Sequence, residues 1–322
     1  MPPVDRKNPV RAKSSDSRIS LMEFMAEFPD DATCLDHLWR TKYAEDGEHA
    51  HCPKCDKTRA FKKYATKQQR QSWTCTACGH HIHPTAGTIL AKSSTSLHLW
   101  FYAIYLVSSS RCGIAAKQLE REIGVNYKTA LRMLHLIRQE LMDQDDQGPV
   151  GGIVEADETF MGGKIRESER AARRARGESH SGPYTRPNRP IVVGAVERRG
   201  KIRATVVQRR HDAQFVVRGF VLPGSMIFTD DWSGYNGLSK NNTYRHRRIN
   251  HTARVYVDGP VHTQTIEGFF GHFKTDVRGT HHAISAKWLP GYLNEWVWKW
   301  NHRKDDEAMF RTLLANAASQ LN

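Results

Sequence analysis

No run of apolar residues in this 322-residue sequence is long enough to cross a bilayer as a helix. Met1 to Ser15 is polar and basic and lacks the apolar centre of a secretory leader. A membrane-spanning helix is thereby excluded, and a soluble protein of the cytoplasm is expected. Acid is in short supply: 34 Asp and Glu stand against 48 Lys and Arg, a formal net charge of +14. Such an excess of cation points to a polyanionic partner, nucleic acid first and an acidic membrane surface second. Cysteine is scarce too, with six residues. In a reducing compartment these are metal ligands or buried thiols, and disulfides are not expected.

Four of the six fall in two pairs, Cys52-Pro-Lys-Cys55 and Cys75-Thr-Ala-Cys78. Each C-x-x-C turn aims two sulfurs at one point, and two such turns at this separation suit tetrahedral Zn²⁺ with four thiolates. A zinc ribbon over residues 49–90 has too few apolar residues to fold unaided, so the metal would supply its folding energy. Free or redox-active thiols in a loop are the alternative. Lys54, Lys57, Arg59, Lys62 and Lys63 make the segment basic enough to touch phosphate. Cys34 and Cys112 read as packing thiols.

Ahead of the ribbon, residues 1–48 read as a basic flexible arm followed by short helices. Leu21, Phe24, Met25 and Phe28, then Cys34, Leu35, Leu38 and Trp39, recur at helical spacing and are split by Pro29-Asp30-Asp31. Beyond it, residues 91–146 open with an apolar helix and continue as two helices around Gly124-Val125-Asn126, the cadence of a helix-turn-helix. In the second of these Ala130, Leu131, Leu134 and Ile137 would face inward and Lys128, Arg132, His135 and Arg138 outward, as a DNA-reading helix requires. Any amphipathic helical hairpin shares this layout.

Gly152 to Phe160 is an apolar run interrupted by acids, and it reads as a strand stopped by Met161-Gly162-Gly163. Glu155 and Asp157 share one face, while Val154, Ala156 and Glu158 take the other. A carboxylate on a rigid strand is well placed to hold Mg²⁺. An edge strand with solvated acids fits this segment equally. A second apolar strand, Ser225 to Thr229, runs directly into Asp230 and Asp231. Between the two lie a hairpin, Ile191–Glu197 and Ile202–Gln208 joined through Arg198 to Lys201, and an Arg-rich insertion over 164–190 suited to DNA or to solvent. The third component is a helix running from His262 to Lys274. Its stripe Ile266, Phe269, Phe270 and Phe273 docks on a sheet, and Gln264, Glu267, Gly271 and Lys274 share a neighbouring face. An ordinary surface pair of Glu267 and Lys274 is the alternative. These pieces delimit a candidate catalytic domain over 150–280, and residues 281–322 follow as a helical segment whose aromatic stripe reads as core.

In order, the Cys52/Cys55/Cys75/Cys78 pairs, Val154-Glu-Ala-Asp157-Glu-Thr, Gly162-Gly-Lys164, Val193-Gly-Ala-Val196, Thr229-Asp230, His262-Thr-Gln-Thr-Ile-Glu267 and Asn301-His-Arg resemble the DDE-type transposases of bacterial insertion sequences that carry an N-terminal zinc ribbon, the ISXO-type group. The resemblance implies an α/β, RNase H-like catalytic domain, a mixed sheet flanked by helices, preceded by a zinc ribbon and a helix-turn-helix. It implies that Asp157, Asp230 and Glu267 hold two catalytic Mg²⁺ or Mn²⁺ ions and that Lys274 contacts DNA. Gln264 stands where this group often has asparagine; with Glu267 offering the carboxylate, Gln264 is expected to touch DNA or a metal-bound residue. The basic insertion after Lys164 has no counterpart in the motif order. The implied activity is binding of terminal inverted repeats, cleavage of the ends and joining of the freed 3′-hydroxyl to target double-stranded DNA. Two ends must meet, so a homodimer or larger assembly is expected. A structure-specific nuclease or resolvase of the same fold and a zinc-stabilised DNA-binding regulator without catalysis are the rival readings.

Overall fold

The computed structural model describes residues 19–64, 72–142, 148–162, 171–172, 174–177, 189–249, 261–305 and 307–319. The basic arm over 1–18 and most of the 164–190 insertion lie outside the described residues. The chain divides into two compact units, residues 1–141 with 302–322, and residues 142–301. Among the described residues no helix is long and apolar enough to cross a membrane.

In the first unit, α1 (Leu21–Glu27) and α2 (Asp31–Lys42) are separate helices because each has its own N-cap. At α1 the Glu23 N–H donates to Ser20 Oγ at 3.2 Å and the Ser20 N–H returns a bond to Glu23 Oε2 at 2.6 Å. At α2 Asp30 accepts from the Thr33 N–H at 2.8 Å. Four strands follow, β1 (His49–Cys52), β2 (Lys57–Tyr64), β3 (Ser72–Cys75) and β4 (His81–Ile82), antiparallel and in sequence order. Their buried side rests on α2, where Trp73 stacks on Trp39 with ring centroids 4.8 Å apart. Helix α3 (Leu97–Ser109) and the last helix of the chain (Met309–Ser319) complete the core, with Phe28 meeting Phe101 at 5.2 Å and Phe310 at 5.8 Å. Cys34 is fully buried there, and burial pushes its thiol up to about 12.

Two further helices, α4 (Ala116–Ile123) and α5 (Tyr127–Leu136), meet at Gly124, whose φ of 68° ends α4 in the left-handed region that glycine tolerates. Asn126 caps α5 by accepting from the Thr129 N–H at 2.9 Å. Lys128 and Arg132 are exposed as expected. The outward placing of His135 and Arg138 is corrected: both are buried, and Arg138 donates to the Ile114 carbonyl at 3.3 Å. One cause is long-range. Past Leu136 the helix widens into a π turn, Ile137–Leu141, against which the last helix packs, Asn316 donating to the Leu141 carbonyl at 3.0 Å. Periodicity within α5 carries no trace of a partner 175 residues away.

The second unit is a mixed five-stranded sheet flanked by helices, the fold class expected from the sequence. Its strands are β5 (Ile153–Phe160), β6 (Ile191–Glu197), β7 (Ile202–Val207), β8 (Met226–Asp230) and β9 (Arg245–Ile249), in the order β7-β6-β5-β8-β9. The β5–β6–β7 run is antiparallel, whereas β8 and β9 are parallel to β5. Helix α6 (Ala213–Phe220) covers one face with Val154, Ala156, Val217 and Ile227 in its core. Helices α7 (Gln264–Asp276) and α8 (Leu289–His302) cover the other through Val192, Val196, Ile266, Phe269, Phe273 and Val297. The last helix becomes α9.

Gly194 sets how closely α7 approaches. It pairs with Asp157 across β5–β6, and a Cβ placed on it would lie 2.9 Å from Ile266 Cδ1 and 3.2 Å from the Phe270 ring. Gly194→Ala is therefore expected to displace the helix that carries Glu267 and to cost about 1–3 kcal/mol by overpacking, read as a lowered unfolding midpoint in denaturant.

Candidate active site

The parallel pairing of β5 with β8 sets Glu155 opposite Phe228. Two residues further along both strands, the same register brings Asp157 beside Asp230. Carboxylate oxygens of Asp157, Glu158 and Asp230 all lie within 4.8 Å of one another. Asp157 Oδ1 accepts from the Glu158 N–H at 2.8 Å within β5, and Asp230 Oδ1 from the Trp232 N–H at 3.1 Å in the turn that ends β8. Burial, together with the negative charges of Glu158, Asp230 and Glu267, holds the Asp157 carboxyl well above the usual carboxylate range. A cluster that resists ionisation in this way gains when a divalent cation supplies the missing charge.

Glu158 points to the opposite side of β5 from Asp157 and is already engaged. It accepts from Arg210 Nε at 2.6 Å and from the Tyr235 hydroxyl at 2.5 Å. The Arg210 guanidinium in turn covers the Trp232 ring at 3.8 Å. Burial raises the Glu158 carboxyl above its ordinary value, opposed by the Tyr235 bond and the Arg210 charge.

Glu267 lies in the first turn of α7, is exposed, and accepts from Thr263 Oγ1 at 2.6 Å. Its oxygens stay outside the 4.8 Å cluster, although its charge reaches Asp157. Gln264 and Gly271 are exposed along the same helix, and Lys274 is half-buried, its ammonium donating to Thr159 Oγ1 on β5. Burial is the first cause that lowers the Lys274 ammonium, followed by the Arg278 charge.

Sequence reasoning placed Glu155 on the acidic face without giving it a task. It is fully buried and caps α7 from a neighbouring strand, accepting from the Thr265 N–H at 2.7 Å, the Ile266 N–H at 3.3 Å and Thr265 Oγ1 at 3.0 Å. Arg198 Nε donates to it at 2.8 Å and His262 Nδ1 lies 3.2 Å away. One residue thus ties the strand of Asp157 to the helix of Glu267. A buried acid must be paired, so the signal was present, but its partners lie up to 111 residues away. Glu155→Ala is expected to lose about 1–3 kcal/mol, the effect of leaving the α7 N–H groups and the partly buried Arg198 without their acceptor; chemical denaturation measures it, and an unchanged midpoint contradicts the capping role.

In the first unit, the four cysteines form the second cluster, with all four sulfurs within 4.8 Å of one another. Cys52 and Cys78 sulfurs are 3.6 Å apart and those of Cys55 and Cys75 4.0 Å apart. These bracket the ~3.8 Å edge of a tetrahedron with metal–sulfur bonds of about 2.3 Å. Both pairs close in the same way, the Asp56 N–H donating to the Cys52 carbonyl at 2.8 Å and the Gly79 N–H to the Cys75 carbonyl at 3.0 Å. Burial opposes ionisation of Cys75, but bonds from the Cys78 and Ala77 N–H groups bring its thiol down to about 7.

Residues 149–301 match the ISXO2-like transposase domain family. That stretch contains Asp157, Asp230, Glu267 and Lys274 together with the whole five-stranded sheet. The chain carries an ISXO2-like transposase domain. Both comparisons support an insertion-sequence transposase of this group. Over 245 residues, 74% of this chain and 77% of the relative, it is also 25% identical to an uncharacterised protein in transposable element ISH50 of Halobacterium salinarum.

Proposed function

We propose that this transposase cuts the ends of its element and joins the freed 3′-hydroxyl to target DNA by metal-assisted phosphoryl transfer on Asp157, Asp230 and Glu267. The observation that carries the reading is the meeting of Asp157, in the second half of β5, with Asp230, the last residue of the parallel strand β8, their carboxylate oxygens within 4.8 Å. The strand order, three antiparallel and two parallel, supports an RNase H-like domain. Oxygen donors alone suit Mg²⁺ or Mn²⁺, which when bound would supply a water of lowered pKa and neutralise the leaving oxygen. Asp157 and Asp230 would be the central ligands and Glu267 the third, while Lys274 holds the DNA backbone at the edge of the cluster. Glu158, fixed by Arg210 and Tyr235, keeps the Asp157 side of β5 in place. The cysteine cluster fits structural Zn²⁺, and Lys128 and Arg132 on α5, with Gln264 on α7, are the proposed DNA contacts. His135 and Arg138, being buried, support that helix from beneath.

The test is incubation of the full-length protein with a labelled duplex of the element's end, with and without Mg²⁺. A nick at the element boundary and a joined product, both requiring Mg²⁺, are expected. End DNA that is bound but never cut contradicts the proposal.

A further inference from the structure

Beyond the carboxyl end of β5 the second unit contains a cleft of about 330 Å³. Lys274 from α7, Arg278 from the π turn that follows it, His282 just past that turn and Arg189 from the residues before β6 supply its polar side chains. Met161, Ile284 and Leu289 form an apolar wall, and among the described residues that line the cleft none is acidic. Two of the cations are held in place. Lys274 bonds Thr159, two residues past Asp157, while Arg189 donates to the Gly162 carbonyl at 2.7 Å and to that of Met161 at 3.3 Å and lies over the Phe160 ring at 5.8 Å. Burial and the charge of Arg278 already disfavour the charged form of Lys274, so the arrangement is costly until an anion enters. A lone phosphate would satisfy the cations but leave the apolar wall unused. The size is at the low end of ligand pockets, about 300 Å³ upward, enough for a single nucleotide and too small for a base pair.

We propose that this cleft seats one nucleotide of the DNA strand that passes the acidic cluster, its phosphate on Lys274 and Arg278 and its base, withdrawn from the stack, against Met161, Ile284 and Leu289. The proposal rests on the transposase reading and adds to it a place where the DNA is distorted. Unstacking one nucleotide beside the scissile bond opens the duplex to the carboxylates, and a base displaced from its partner needs a shaped receptor.

The test uses the full-length protein and duplexes of the element's end with 2-aminopurine placed in turn at each position around the cut, without added Mg²⁺. On binding, fluorescence is expected to rise several-fold at one position only. Ile284→Trp, which fills the cleft, should remove that rise and slow cleavage about tenfold while end affinity stays within about twofold. An abasic nucleotide at the responsive position should restore cleavage by this variant. Arg278→Glu changes an exposed side chain rather than the packing, and it should also remove the rise. If ends are bound and cut but no position brightens, or if both variants behave as the parent protein, the cleft proposal is overturned and the transposase reading stands. If the parent protein neither binds nor cuts the ends, the reading beneath it fails instead. A free nucleoside monophosphate that displaces the end at equal concentration would assign the cleft to a soluble nucleotide and overturn the strand-bound form.

Discussion

Asp157→Asn is expected to abolish cleavage of the element's ends, a loss on the order of 10³-fold or more, as when a group that stabilises developing charge is removed. End affinity should remain close to that of the parent, because Lys128 and Arg132 are on another unit of the chain. The same substitution has an opposite effect on stability. Asp157 is crowded by Glu158, Asp230 and Glu267 and its folded-state pKa is raised, so the folded protein binds the proton more tightly than the unfolded chain. Its contribution therefore falls as pH rises from the ordinary carboxylate value through the raised one, and at neutral pH ionised Asp157 opposes folding. Asparagine removes that opposition. Without divalent cation, Asp157→Asn should melt above the parent protein, and added Mg²⁺ should stabilise the parent while doing little for the variant. Equal stabilisation of both by Mg²⁺, or cutting by the variant at the parent rate, refutes the role given to Asp157.

Removal of zinc should be equally decisive for the first unit. An apparent binding energy of about 10–16 kcal/mol for structural zinc is as large as the whole stability of an ordinary domain, about 5–15 kcal/mol. The sheet β1–β4 has few large buried side chains of its own, chiefly Phe61 and Trp73, and Trp73 rests on Trp39 of α2. Chelation, or Cys75→Ser, is expected to unfold this sheet, separate the two indoles and change their fluorescence together with a loss of end binding. Metal analysis should return one zinc per chain. A full tryptophan signal after the metal has been stripped would contradict the assignment.

Much of this site was legible because its signals are local. The β-branched and apolar residues around Asp157 and leading into Asp230 announce strands that carry acids, and the two C-x-x-C turns announce four converging sulfurs. The apolar stripe of α7 likewise predicted the face now seen against the sheet. What could not be read are the pairings. Nothing in Ile153–Phe160 says that β8 lies parallel beside it, and the partners of Glu158, Arg210 and Tyr235, are 52 and 77 residues away. Glu155 was visible as an acid in a buried strand, yet its bond to the Thr265 N–H spans 110 residues. His135 and Arg138 show the converse limit: a helix read alone assigns an outward face, and tertiary packing closes part of it.

The proposed metal centre is tested most directly by anomalous scattering from crystals of the full-length protein grown with end DNA and Mn²⁺. Manganese is expected between the Asp157 and Asp230 carboxylates, with Glu267 drawn in as a further ligand. Bound ends with no manganese at these two residues, or with manganese held elsewhere, would contradict the account.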